Sequence, residues 1–333
     1  MTRRGWLLLG LLGVIWGVPY LLIKVAVAEV SPATVVLART TVGALVLLPF
    51  ALRGAGFGAL RGRWRALALF AALEVVGPWM LFSDAERTLD SSTTGLLVAT
   101  VPVLAVVVGR VAGDRAPVAG VRWAGLLVGL AGVGVLTGPG LASGHAWPVT
   151  EVVLGALGYA IAPVVAERSL QGVPATVLTT ACLGLAALVY APVVLLEGPQ
   201  PLPSPAAVGS LAALGLVCTA VAFLLFFRLI SEVGGPRSTL VAYLNPLVAV
   251  SLGALVLDER LDATVGLATL LIVGGSAAAS VRRRSVRPRA DAAPAPVNAA
   301  APGEGAVAPG ELALTDPGPG PASDGVTPRR PPG

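Results

Sequence analysis

Residues 6–27 run for 22 positions with a single charged side chain, Lys24. A helix rises about 1.5 Å per residue, so roughly 20 apolar residues cross a hydrocarbon core about 30 Å thick. Nine comparable stretches follow, at 32–52, 66–85, 92–111, 119–137, 150–168, 174–195, 206–229, 236–256 and 262–281. Lipid offers no partner to a bare backbone amide, so runs of this length are expected to be helices. A closed barrel would show short alternating strands instead, and the sequence has none. The expectation is an all-α polytopic membrane protein with ten transmembrane helices.

Composition agrees. Apolar residues make up 55% of the chain and charged ones 12%, where a soluble domain carries roughly 25% charge. The net charge of +5 does not point to nucleic acid, because the basic residues sit in loops and the tail rather than on one helix face. Cys182 and Cys218 lie inside apolar stretches without metal-ligand spacing and read as small core residues. The opening Met1-Thr2-Arg3-Arg4 and its apolar run could pass for a signal peptide. The run continues past Lys24 with no small-residue cleavage site, and it is read as the first span.

Basic residues set the expected orientation. With the N-terminus inside, the inner segments carry 17 Lys and Arg, among them Arg3, Arg4, Arg53, Arg61, Arg63, Arg65 and Arg168, while the outer ends carry Lys24, Arg87 and Arg260. This positive-inside bias puts both termini in the cytoplasm and the protein in the cytoplasmic membrane. From Arg282 onward the last 52 residues hold 11 Pro and 7 Gly, too few apolar groups to offset the entropy of ordering them. Residues 282–333 are expected to form a disordered cytoplasmic tail whose first basic cluster touches anionic headgroups.

An internal repeat adds more than hydropathy does. At a spacing of 144 residues Pro19 matches Pro163, Lys24 matches Arg168, Pro102 matches Pro246 and Asp114 matches Asp258. Pro32-Ala33-Thr34 recurs, two positions out of step, as Pro174-Ala175-Thr176. Prolines are rare in helix interiors, so two matched pairs are a strong signal. Five spans per copy is an odd number, which makes the two copies antiparallel. Two inverted five-helix repeats are a plan of secondary transporters, with the site near the midplane and two mirror-related states that give alternating access.

Several of these residues resemble the drug/metabolite transporter superfamily, in its EamA-like branch. The resemblance spans residues 6 to about 281. It rests on Trp16-Gly17 with Lys24, on Pro32 and Arg39, and on Pro102 before Asp114-Arg115; in the second half it rests on Pro246 before Asp258-Glu259-Arg260 and a Gly-rich last span. Asp114-Arg115 stands where members usually carry Glu-Arg, and Ala160-Ile161 replaces a second Trp-Gly. The resemblance implies a first EamA-like repeat over 1–140 and a second over 141–281. It also implies a secondary active transporter, an exporter of small organic metabolites or drugs, whose partners are a small-molecule substrate and the bilayer, as monomer or homodimer. The rival is a non-transporting membrane receptor or scaffold.

Trp16, Tyr20 and Lys24 are spaced by four and form one stripe on the first helix. Trp16 lies too deep for an interfacial aromatic belt and is expected on a cavity wall; Lys24 either joins it or snorkels outward. Arg39 and Glu74 each cost about 2.5–3.5 kcal/mol at a helix centre on insertion scales, so both should face protein or water. A carboxyl taken out of water exchanges charge for a proton, so Glu74 either carries a coupling proton or forms a static ion pair with Arg39. Pro102 and Pro246 leave the carbonyls of Val98 and Ala242 without a helical donor. With Pro19 and Pro163 these prolines are expected as hinges. Thr100, Tyr243 and Asn245 add polar groups beside them, and Trp79 and Tyr159 complete the candidate substrate-binding set. Asp114-Arg115 and Glu259-Arg260 suit loop caps or gates. Gly13-x-x-x-Gly17 and Gly125-x-x-x-Gly129 permit close helix contact. No cofactor or metal site is expected. The one histidine, His145, lies in an outer loop, and the sequence has no Gly-x-Ser-x-Gly, no His-Glu-x-x-His and no phosphate-binding loop, which argues against an enzyme or an ATP-driven pump.

Overall fold

The structure is a computed structural model that describes residues 2–53, 56–113, 120–142, 146–234, 238 and 240–279. Asp114, Arg115, His145 and the tail at 282–333 lie outside the described residues. The described part belongs to one unit, Met1–Arg283.

Among the described residues the elements are helices. Those long and apolar enough to cross a membrane are α1 (Arg3–Val27), α2 (Pro32–Leu52), α3 (Trp64–Ala85), α4 (Ser91–Val111), α6 (Ala146–Ser169), α7 (Ala175–Glu197) and α8 (Pro205–Val233). Three shorter apolar helices stand with them: α5 (Gly120–Ala142, apolar over Trp123–Gly138), α9 (Val241–Val256) and α10 (Ala263–Ala279). The ninth stretch, expected from 236, becomes a continuous helix at Val241.

Helix starts follow local chemistry. Ser31 Oγ accepts the Thr34 amide at 3.1 Å ahead of α2, and Ser204 Oγ accepts the Ala207 amide at 3.2 Å ahead of α8. In both, proline occupies the first turn, where no amide bond is lost.

Many large apolar side chains face outward along these helices, with Leu188, Leu195 and Leu196 at least 74% exposed, while the buried contacts mix leucines such as Leu12, Leu47 and Leu183 with small residues. An apolar exterior of this kind suits a lipid surround, and small residues at the contacts let helix backbones approach closely. The Gly-x-x-x-Gly pairs are used inside the chain. Gly13 and Gly17 pack on Leu244 and Val248 of α9, and Gly125 and Gly129 receive the backbone of Gly275 on α10. Further contacts join α2 to α7, α3 to α6, α1 to α8, and α4 to both α6 and α9.

Two helices contain a wide π turn, Ala72–Val76 in α3 and Leu216–Val221 in α8, at the same 144-residue spacing. Gly77 closes the first one onto the Ala72 carbonyl, and a Cβ there would lie 2.9 Å from that oxygen. The turns free carbonyls for side chains: Tyr190 donates to Val76 O at 2.7 Å, and Thr219 Oγ1 donates to Leu214 O at 2.8 Å.

The four prolines behave unequally. α1 breaks at Val18 before Pro19, and α4 breaks at Ala99–Thr100 before Pro102. Pro163 and Pro246 sit within uninterrupted α6 and α9. For the Pro102 pair a reason is visible. Thr100 Oγ1 donates to Leu97 O at 2.6 Å and Ser276 Oγ donates to Ala99 O at 2.7 Å, satisfying the opened turn. Leu244, 144 residues after Thr100, has no hydroxyl to do the same.

Candidate substrate cavity

The helix breaks, the π turn of α3 and the matched prolines surround one cavity of about 450 Å³. Its wall takes Trp16, Pro19 and Tyr20 from α1, Arg39 from α2, Glu74 and Trp79 from α3, and Val98 and Pro102 from α4. The remaining wall is Tyr159 and Pro163 from α6, Phe223 and Phe226 from α8, and Ala242, Asn245 and Pro246 from α9. Elements from both halves of the sequence therefore meet there.

One charged group is held rigidly on this wall. The guanidinium carbon of Arg39 lies 3.7 Å from the centroid of the Trp79 ring, and its Nε donates to Thr219 Oγ1 at 2.9 Å. Stacking on an indole face suits a planar delocalised cation, which keeps its remaining N–H donors free of the ring. Trp79 in turn donates its indole N–H to Tyr159 OH at 2.8 Å. Glu74 also lines the cavity, on the π turn itself, and among the described residues it forms no ion pair with Arg39. Oδ1 of Asn245 is buried and lacks a hydrogen-bond partner.

Aromatic rings supply much of the rest of the wall, beside prolines and small aliphatic residues. Trp16 packs on Phe226 and Phe223 with ring centroids 4.8 and 5.9 Å apart, and Phe82 packs edge-on against Tyr159 at 5.5 Å. Phe82, Phe223, Phe226 and Thr219 carry no signal in the sequence, because an apolar run such as Ala222–Phe227 gives no sign of which side chains face inward.

Three expected residues lie elsewhere. Thr100 turns back onto its own helix, as described above. Tyr243 points toward α10, where its hydroxyl donates to Ser276 O at 3.3 Å. Lys24 neither lines the cavity nor snorkels: its ammonium donates to Glu86 O and Leu89 O at 2.8 and 2.7 Å, capping the end of α3.

Side chains bind the loops at each end of the bundle. Glu259 accepts Ser91 N and Oγ at 2.7 and 2.8 Å and Ser92 N at 3.1 Å, capping α4 from the α9–α10 loop. Asp258 holds that loop in the left-handed region, φ 53°, which aspartate tolerates better than most residues. Glu29 accepts Ser204 N and Oγ, both at 2.6 Å, and these bonds hold its carboxyl below the usual range. At the opposite end Glu232 pairs with Arg4 at 3.6 Å and accepts Thr2 Oγ1, while Arg63 donates to Gln171 O.

A helical bundle with an apolar exterior around a partly enclosed cavity is the build of a multi-pass membrane protein. The chain belongs to the EamA-like transporter family, which matches residues 3–138 and again 147–281. It is thus a membrane transporter and not an enzyme. It is 30% identical over 267 residues to the "Uncharacterized inner membrane transporter YedA" of Escherichia coli K12, covering 78% of this chain and 85% of that one; YedA of Escherichia coli O157:H7 matches equally. A protein of known crystal structure shares the fold with a TM-score of 0.61 at 24% identity, covering 84% of this chain and 98% of its own.

Proposed function

We propose that the chain is a secondary carrier of small organic metabolites or drugs, with ten spans in two inverted repeats that expose the central cavity to each side in turn. The observation that carries this reading is the cavity wall itself: Arg39 and Glu74 both line it without pairing to each other, among aromatic rings from both halves. A cation fixed on an indole face recognises a carboxylate or an electron-rich ring, and the aromatic wall takes the apolar remainder.

The inverted plan has independent support. The family matches the chain twice, over segments close to the expected repeats 1–140 and 141–281, and the π turns recur at the spacing of the prolines. Packing is reciprocal under the same exchange: α3 meets α6 as α8 meets α1, and α4 meets α6 as α9 meets α1. The breaks before Pro19 and Pro102 serve as hinges in this reading, with Pro163 and Pro246 their unbroken counterparts. Excess arginine at the Arg4, Arg63 and Arg168 end supports a cytoplasmic position for that end. Export as the direction rests on the family resemblance alone.

Glu74 is the coupling-proton carrier in this reading, supported by its position on the cavity wall and, among the described residues, by the lack of an ion-pair partner. Full proton-coupled transport by Glu74→Gln would remove it from that role. The cavity assignment is tested by ligand-dependent thermal stabilisation of the purified protein across amino acids, nucleobases, amines and drugs. A stabilising compound should lose its effect in both Trp16→Ala and Asn245→Ala; retention in both would move the site elsewhere.

A further inference from the structure

Beyond the cavity wall, the fold buries a second carboxyl, Glu86, just past the end of α3. The residue is 0% exposed, and among the described residues neither oxygen of its carboxyl has a hydrogen-bond partner. It stands one turn beyond Phe82 of the cavity wall, beneath the junction where Glu259 caps α4.

The charges around it are committed to other partners. From α1, Lys24 donates to the carbonyls of Glu86 and Leu89 rather than to the carboxyl, and Tyr20 is close enough to feel the Glu86 charge. From α2, Arg39 is held by Trp79 and Thr219. The α9–α10 loop brings Glu259, and Asp90 precedes α4; both are acidic. From α6, Glu151 lies against Asp84, which Arg87 pairs at 3.2 Å, and Tyr159 is bound to Trp79. An ionised carboxylate without a donor and out of water is costly, whereas the neutral acid is far less so. Burial accordingly pushes the Glu86 carboxyl well above the ordinary range; Lys24 and Arg39 oppose this and Glu259 adds to it.

We propose that Glu86 is a proton-binding site of the carrier, occupied while the outer junction is closed around it, as in this structure, and emptied when water enters that junction. The proposal rests on the carrier reading and on its orientation. In the emptying step the carboxyl O–H bond breaks, its electron pair stays on the carboxylate, and the proton passes to the entering water. The new negative charge faces the Lys24 ammonium, drawing it from the Glu86 and Leu89 carbonyls and uncapping α3. Proton loss and loosening of the α3–α4 turn are one event.

Two measurements on the full chain in lipid nanodiscs test this. The first is the infrared carbonyl stretch of protonated carboxyls at about pH 6, where an ordinary glutamate, with a pKa of about 4.3, is ionised. Wild type should show a band that Glu86→Gln lacks, whatever Glu74→Gln does; an identical spectrum in Glu86→Gln overturns the proposal. Should Glu86→Gln fail to fold, Glu86→Asp should shift the band, and an unshifted band is equally fatal. The second is labelling of Leu89→Cys, with Cys182 and Cys218 replaced by alanine, by a membrane-impermeant maleimide. Divided by the rate of a free thiol at the same pH, which removes the rise due to thiolate formation, labelling should increase with pH in that background and stay flat once Glu86→Gln is added; the same increase in both overturns the link to the junction. The band needs no substrate. A protein that keeps it and transports nothing contradicts the carrier reading alone, and a missing band contradicts the proton site alone.

Discussion

Trp79 donates its indole N–H to the hydroxyl of Tyr159 at 2.8 Å, joining the third helix of the first half to the first helix of the second. The same indole carries Arg39 on its face at 3.7 Å. One ring thereby ties a helix–helix bond to the position of the cavity's cation.

Removing the phenol oxygen tests that tie. Tyr159→Phe leaves a buried indole N–H without an acceptor, a cost of about 1–3 kcal/mol. Thermal unfolding should begin at a lower temperature than in wild type, and a ligand that stabilises wild type should stabilise the variant less. Trp79→Phe should remove the bond and much of the Arg39 platform together, with the larger loss of ligand effect.

Arg39→Lys keeps the charge and loses the geometry. An ammonium can neither lie flat on the Trp79 ring nor reproduce the Nε bond to Thr219. Binding titrations should show roughly tenfold weaker affinity, within the range of about 0.5–2 kcal/mol for a cation on a ring. Thr219→Val should give a smaller loss in the same direction, since the stack remains.

Gly275 lies against the backbone of Gly125 and Gly129, so a Cβ there meets main-chain atoms that cannot rotate away. Gly275→Ala should destabilise by about 1–3 kcal/mol, as overpacking does. Gly274→Ala, where nothing lies within 4 Å, is the matched control and should be close to neutral. Equal melting temperatures for the two variants would show that α5 and α10 do not meet as described.

Glu86 makes stability depend on pH. Its folded carboxyl holds a proton more tightly than the unfolded chain does. Between the ordinary value of 4.5 and the raised folded value, the folded state therefore binds more protons, and stability falls as pH rises through that window. Melting curves from about pH 4.5 upward should slope downward in wild type and less so in Glu86→Gln. A steeper slope in the variant would reverse the sign assigned here.

Much of this arrangement can be read from the sequence, and the physics explains where reading stops. Spans are legible because a fixed bilayer thickness fixes their length, and most helix ends match the apolar runs within a few residues. Trp16, Arg39, Glu74 and Asn245 stand out because a polar or large amphipathic group deep in an apolar run must find protein or water, and all four line the cavity. The prolines mark where helices can open, though not which ones do, since that depends on local donors such as Thr100. Glu86 gives no such signal, because a charge just beyond a span reads as solvated; only the fold shows it fully buried, with Lys24 bonded to its carbonyl. Phe223 and Phe226 share the composition of lipid-facing neighbours, and no local signal separates the two faces.

The central claim is that one cavity opens to each side of the membrane in turn. Val98, on its wall, can be replaced by cysteine in a Cys182→Ala, Cys218→Ala background and reacted with an impermeant maleimide from outside in intact cells and from inside in inverted vesicles. The account predicts labelling from both sides, with a bound ligand slowing both reactions. Labelling from one side only, under every ligand and pH condition, would contradict it.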